Sequence, residues 1–126
     1  MLIFKPFLGA AIAAAAIATP ASAYDVQFKG RTRATPTLVR DLLTTITQHT
    51  KATRKCAFIF SVEAMTMPPN YVPQSAAYRI SVLGRVYERW IVNACGQKLG
   101  YFVGFWPSPR GGSDFKVSPL AGGRMP

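Results

Sequence analysis

Apolar residues recur along this chain with two different periods, and the switches between them mark out its elements. Residues 24–30 alternate, with Tyr24, Val26 and Phe28 set against Asp25, Gln27 and Lys29, the period of a short half-buried strand. After a basic connector the period changes. Leu38, Val39, Leu42, Leu43 and Ile46 fall on one stripe of a helix, wide enough to face a core. Thr35-Pro36 supplies a capping hydroxyl and a proline at the first helical position. The helix is expected to end near Thr50, with Lys51 against the negative end of its dipole.

The period then shortens again. Residues 56–65 are almost continuously apolar, with Phe58, Ile59, Phe60 and Val62, and read as a central strand. Pro68, Pro69 and Pro73 exclude a ladder strand and predict an extended loop. Tyr78, Ile80 and Val82 alternate with Arg79 and Ser81, and Gly84 marks a turn. Over 86–94, Val86, Glu88, Trp90 and Val92 share one face, with Tyr87, Arg89, Ile91 and Asn93 on the other. Gly96-Gln97-Lys98 is the expected hairpin turn. Leu99, Tyr101, Val103 and Phe105 then alternate with Gly100, Phe102, Gly104 and Trp106. The two glycines leave room for a helix or an aromatic ring to approach the sheet. Pro107 to Gly112 reads as a loop and 113–118 as a closing strand. Residues 119–126 lack periodicity and are expected to form a flexible tail. The order predicts one α+β domain over 24–118, with one helix packed on an antiparallel sheet of four to five strands. This order is similar to cystatin-like architecture, a likeness that carries no function.

Residues 1–23 have a different character. One lysine precedes an alanine-rich apolar run, Pro20 breaks it, and Ala21-Ser22-Ala23 follows. That is the anatomy of a cleavable secretory leader. The run is about a dozen residues long, against the ~20 that span hydrocarbon, so the mature form is expected to carry no transmembrane segment. The expected address is the periplasm or the exterior. The whole chain is formally +10, and loss of Lys5 with the leader leaves +9. Outside the cytoplasm such charge points to an anionic envelope component or another envelope protein, and not to nucleic acid. The candidate basic patch is Arg31 and Arg33, before the helix, joined by Lys51, Arg54 and Lys55 after it.

Cys56 and Cys95 are the two cysteines, and an even pair in an oxidising compartment predicts a disulfide. Two thiols and one distant histidine, His49, do not supply a four-ligand metal site, and no cofactor motif is present. His49 lacks a nearby nucleophile in sequence, so it reads as a surface or partly buried helix residue. Glu63 and Glu88 could approach each other if their strands pair. A glycosidase, however, needs a fixed separation between its carboxyls, and Glu88 is expected to pair with a cross-strand arginine. Gly111-Gly112-Ser113 lacks the lysine and helix of a phosphate loop and reads as a turn. Tyr71, in the proline loop, and Trp106, beside Pro107, are the candidate exposed aromatics of a recognition surface. No catalytic residues are assigned.

The stretch Tyr87-Glu88-Arg89-Trp90-Ile91-Val92-Asn93-Ala94-Cys95-Gly96, with Tyr101-Phe102-Val103 and Gly111-Gly112-Ser113-Asp114-Phe115, resembles a pattern in small, uncharacterised exported proteins of Gram-negative bacteria. The resemblance implies an envelope location and no activity. The expected function is a non-enzymatic binding or accessory role in the envelope. The alternatives are a hydrolase inhibitor acting through loop 67–74 and a small cell-wall or glycan hydrolase. Processing is expected after Ala23, so the intact mass of the exported protein should correspond to a chain beginning at Tyr24.

Overall fold

The computed structural model describes residues 26–126; the expected leader, residues 1–23, lies outside them. The described chain runs β1 (Gln27–Gly30), α1 (Pro36–Arg54), β2 (Ile59–Thr66), β3 (Val86–Ala94), β4 (Gln97–Pro107) and β5 (Ser113–Pro119). The strands form one sheet in the order β1-β2-β3-β4-β5, and α1 covers one face. This is the α+β architecture the periodicity predicts.

The helix begins where its cap is. The Thr35 hydroxyl accepts the Leu38 N–H at 3.2 Å, satisfying a donor that has no partner within the helix. Leu42 and Ile46 are fully buried and pack with Val62, Trp90, Val92, Tyr101 and Val103 of the sheet. Each such side chain contributes about 2 kcal/mol through burial. The helix continues to Arg54, a turn beyond the expected end at Thr50, and closes at Lys55 in the left-handed region, φ 54°. The Thr50 hydroxyl, 2.7 Å from the Cys56 carbonyl, fastens the exit of the chain.

Three expectations about the sheet are corrected. First, it is mixed rather than antiparallel, because β1 pairs parallel to β2, with Gln27 opposite Ser61 and Gly30 opposite Ala64. A helix inserted between two neighbouring strands returns the chain to the end from which it started, which makes the pair parallel. Second, residues 78–82 are no strand. Ala76–Tyr78 forms a 3-10 turn, the Arg79 side chain donates to the Pro73 and Gln74 carbonyls, and the Ile80 N–H donates to the Tyr87 hydroxyl at 2.7 Å. The segment lies across the outer face, where a Cβ on Gly104 would meet the Ile80 side chain. The room left by Gly104 therefore admits the loop residue Ile80 and the neighbouring Phe102 ring, and no helix. Third, the hairpin turn is Cys95-Gly96, flanked by the Ala94–Gln97 pair. Both residues have positive φ, 51° and 85°, the pattern of a type I′ turn, and the Gly96 N–H donates to Asn93 Oδ1.

Residues 120–126, expected to form a tail, lie against the sheet. The Leu120 N–H donates to the Gly100 carbonyl, Arg89 Nε donates to the Gly123 carbonyl at 2.8 Å, and Leu120 and Met125 join Ile80, Tyr87 and Phe102 in a small outer-face cluster.

Cys56 and Cys95 are bonded, with Cα atoms 6.1 Å apart and a sequence separation of 39. Closing a loop of that length removes about 4 kcal/mol of chain entropy from the unfolded state. Replacing both cysteines with serine should lower the unfolding free energy by about that amount, measured by urea titration of the oxidised parent and the variant.

Candidate functional site

Side chains of β2 and β3 that point away from α1 meet on the outer face. Glu63 stands opposite Ile91 and Met65 opposite Arg89. Over β4 this face is covered by Ile80 at Gly104 and by Leu120 and Gly123 at Gly100. Over β2 and the part of β3 beyond Tyr87 the cover thins, leaving a groove of about 350 Å³ lined by Arg31, Glu63, Met65, Thr66, Arg89 and Ile91. Met65 is 52 % exposed. Arg31 is brought to the rim by its backbone: its N–H donates to the Ala64 carbonyl at 3.1 Å, and its own carbonyl lies 3.2 Å from the Thr66 hydroxyl. A second, smaller cleft of about 170 Å³ adjoins at Thr66, with Arg33 and Arg85 on its walls. Four arginines therefore surround the end of β2, over an apolar floor with Glu63 as the carboxylate among them.

Glu88 sets this arrangement from below. It projects to the helix side of the sheet and is fully buried. Its Oε1 accepts from the Thr32 hydroxyl at 2.7 Å and Trp90 Nε1 at 2.8 Å. Its Oε2 accepts from the Arg33 backbone N–H at 2.7 Å and the Thr66 hydroxyl at 2.8 Å. The expected arginine partner is replaced by four neutral donors. Burying a carboxylate is costly unless its oxygens are satisfied, and here the satisfying groups come from the connector before α1, from β2 and from β3. Glu63 and Glu88 do sit on paired strands, but on opposite faces of them, so they do not form a facing pair.

The five residues of the expected basic patch separate. Arg31 and Arg33 lie where the chain leaves β1, beside the start of α1. Lys51, Arg54 and Lys55 lie at the far end of this 19-residue helix, which is about 28 Å long at 1.5 Å per residue. Arg31 instead lines one groove with Arg89 and Glu63, and Arg33 lines the adjoining cleft with Arg85. Sequence spacing did not reveal these partners. The alternation over 86–94 places Arg89 on the face away from Trp90, but only the strand register brings Met65 and Arg31 to it.

Tyr71 and Trp106 are half-buried rather than projecting. The Tyr71 hydroxyl donates to the Pro126 carbonyl at 2.6 Å and its ring meets Tyr87 edge-on at 5.6 Å. Burial, with Tyr87 beside it, raises its pKa above the ordinary tyrosine value. Trp106 packs on the outer-face cluster. Loop 67–74 is pinned by Pro73, which is fully buried. Gly111 and Gly112 lie in the β4–β5 turn, closed by the Ser108 N–H donating to the Gly112 carbonyl. On the helix side, His49 Nδ1 lies 2.8 Å from the Tyr101 hydroxyl. Burial raises the Tyr101 pKa, partly offset by Arg54. An apolar cleft of about 400 Å³ separates β1 from the first half of α1, between Val26, Phe28, Val39 and Leu43. It borders the first described residue, and Thr32 and Arg40 also line it. Among the described residues no three or more metal-ligating side chains converge, and no helix is long and apolar enough to cross a membrane.

No protein-family model, curated protein or solved structure matches this chain.

Glu88→Gln keeps the shape of the side chain but turns an amide NH₂ toward two donors. It should cost about 3 kcal/mol of stability, read from urea unfolding. The amide signals of Thr32, Arg33 and Thr66 should shift together.

Proposed function

We propose that this protein is an exported, non-enzymatic binding module whose outer-face groove takes an anionic, partly apolar partner. The observation that carries the reading is the convergence of Arg31 and Arg89 over Met65 and Ile91 on a half of the sheet that the chain's own loops leave open. Cationic side chains at the rim attract an acidic partner and suppress cationic ones, while Met65 is an adaptable apolar contact suited to varied ligands. The Cys56–Cys95 disulfide supports an oxidising compartment such as the periplasm or the exterior. An acidic segment of another envelope protein has the chemistry this groove favours.

The test is amide chemical-shift mapping with short peptides in which Asp or Glu alternates with Leu. Saturable shifts should centre on Arg31, Glu63, Met65, Arg89 and Ile91. Arg31→Glu should weaken binding about tenfold, a change of roughly 1.4 kcal/mol. Arg110→Glu, on the exposed β4–β5 turn, should leave it unchanged. Shifts confined to other surfaces, or equal binding by the Arg31 variant, would reject the groove.

A further inference from the structure

The end of the molecule remote from Glu88 carries a different chemistry. The last turn of α1 exposes Lys51 and Arg54, and Lys55 is exposed at its left-handed cap. The next residue, Cys56, is bonded to Cys95 in the β3–β4 turn, which brings exposed Lys98, opposite Asn93, to the same end. Phe58 comes two residues after Cys56, its carbonyl oxygen 3.2 Å from Cys56 Sγ and 3.9 Å from Cys95 Sγ. Phe60 occupies the register shift between the Ile59–Ala94 and Ser61–Asn93 pairs, so the ladder places no residue opposite it. Phe58 and Phe60 are 59 % and 51 % exposed, and their rings meet edge to face at 4.9 Å.

Among the described residues the charge at this end is of one sign. Asp41 lies in the first half of α1, Glu88 opposite Thr66, and Asp114 opposite Trp106 at the far end of β4. Glu63 is half a strand away and faces Lys29 across β1 and β2. Among the described residues no carboxylate shares this end. Four cations beside two exposed phenylalanines exceed what solubility requires, because solubility is served by charge alone and opposed by exposed rings. A second copy of the chain would meet like charge.

From this juxtaposition we infer that the disulfide-bonded end is a docking surface for an anionic lipid bilayer. Lys51, Arg54, Lys55 and Lys98 lie at the headgroup phosphates, and Phe58 and Phe60 enter the boundary with the acyl chains. Interfacial binding grows with buried apolar area and with attraction to anionic lipid, and this end supplies both. The two perpendicular rings do not form one flat platform, which favours lipid over a run of stacked nucleobases. The disulfide holds the helix end and the hairpin turn together, so little ordering is needed on binding. No residue of the outer-face groove takes part.

The test is co-sedimentation of the oxidised protein with vesicles of mixed phosphatidylglycerol and phosphatidylcholine, and of phosphatidylcholine alone, at low and physiological salt. Binding should require phosphatidylglycerol and weaken with salt. Arg54→Gln with Lys55→Gln should reduce partitioning about 25-fold, at roughly fivefold for each cation removed. Phe58→Ser with Phe60→Ser should abolish the binding that persists at physiological salt. Phe58→Trp should show a blue shift in emission on binding, which a purely peripheral ionic contact would not produce. Arg31→Glu should bind vesicles like the parent, so that failure here and failure of the groove are separate results. Equal partitioning by the parent and the glutamine variant would overturn the inference, as would vesicle binding indifferent to Phe58 and Phe60. Binding to a single-stranded oligonucleotide without binding to vesicles would overturn it in favour of nucleic acid.

Discussion

A fully buried carboxylate is the constraint around which this protein is arranged. Glu88 sits on the sheet's helix-side face opposite Thr66, at the end of β2, and its four hydrogen bonds draw on three segments far apart in sequence. Left with any oxygen unsatisfied, it would carry a desolvation penalty comparable to a large part of a small domain's stability. The connector between β1 and α1 therefore has little freedom. Thr32 and the Arg33 amide must reach the carboxylate, and in doing so they direct the side chains of Arg31 and Arg33 outward. The basic rim of the groove is a by-product of satisfying a buried acid.

The opposite end is governed by a covalent bond instead. Cys95 adopts a left-handed conformation that Asn or Gly more readily occupies, and its link to Cys56 ties that turn to the cap of α1. Hydrogen bonds to a buried charge at one end and a disulfide at the other bracket an apolar middle of Leu42, Ile46, Val62, Trp90, Val92 and Tyr101. Each end positions cations, but different ones, and it does so through backbone segments that are independently fixed.

The helix was legible because its stripe from Leu38 to Ile46 is a local pattern, and the cap at Thr35 is local too. The disulfide was legible because only two cysteines exist to be paired. The direction of β1 was not, since alternation of Val26 and Phe28 reads the same in a parallel or an antiparallel pair. Tyr78, Ile80 and Val82 alternate like a strand, yet Arg79 is bound to the loop carbonyls and the segment becomes a cover for the outer face. Phe58 and Phe60 looked like core within an apolar run, and their exposure follows from a strand that starts only at Ile59 and from a bulge that sequence does not show. The grouping of the arginines failed for a geometrical reason: a helix holds its two ends apart, so charges that flank it cannot form one patch. Glu88 was misassigned because its partners are hydroxyls, an indole and a backbone amide, none of which stands out in sequence as a counter-charge.

The parallel placement of β1 also has a kinetic side. The β3–β4–β5 meander is closed by short turns and can form from neighbouring residues, whereas β1 reaches β2 only across the whole of α1. Non-local pairing carries the larger closure entropy and comes late. Until it comes, Thr32 and Arg33 are missing from Glu88, and a partly assembled domain holds a carboxylate with half its donors. Docking of the first strand and completion of the buried acid are thus the same event. The amino-terminal edge, although the shortest strand of the sheet, is the element whose pairing brings the Thr32 and Arg33 donors to Glu88.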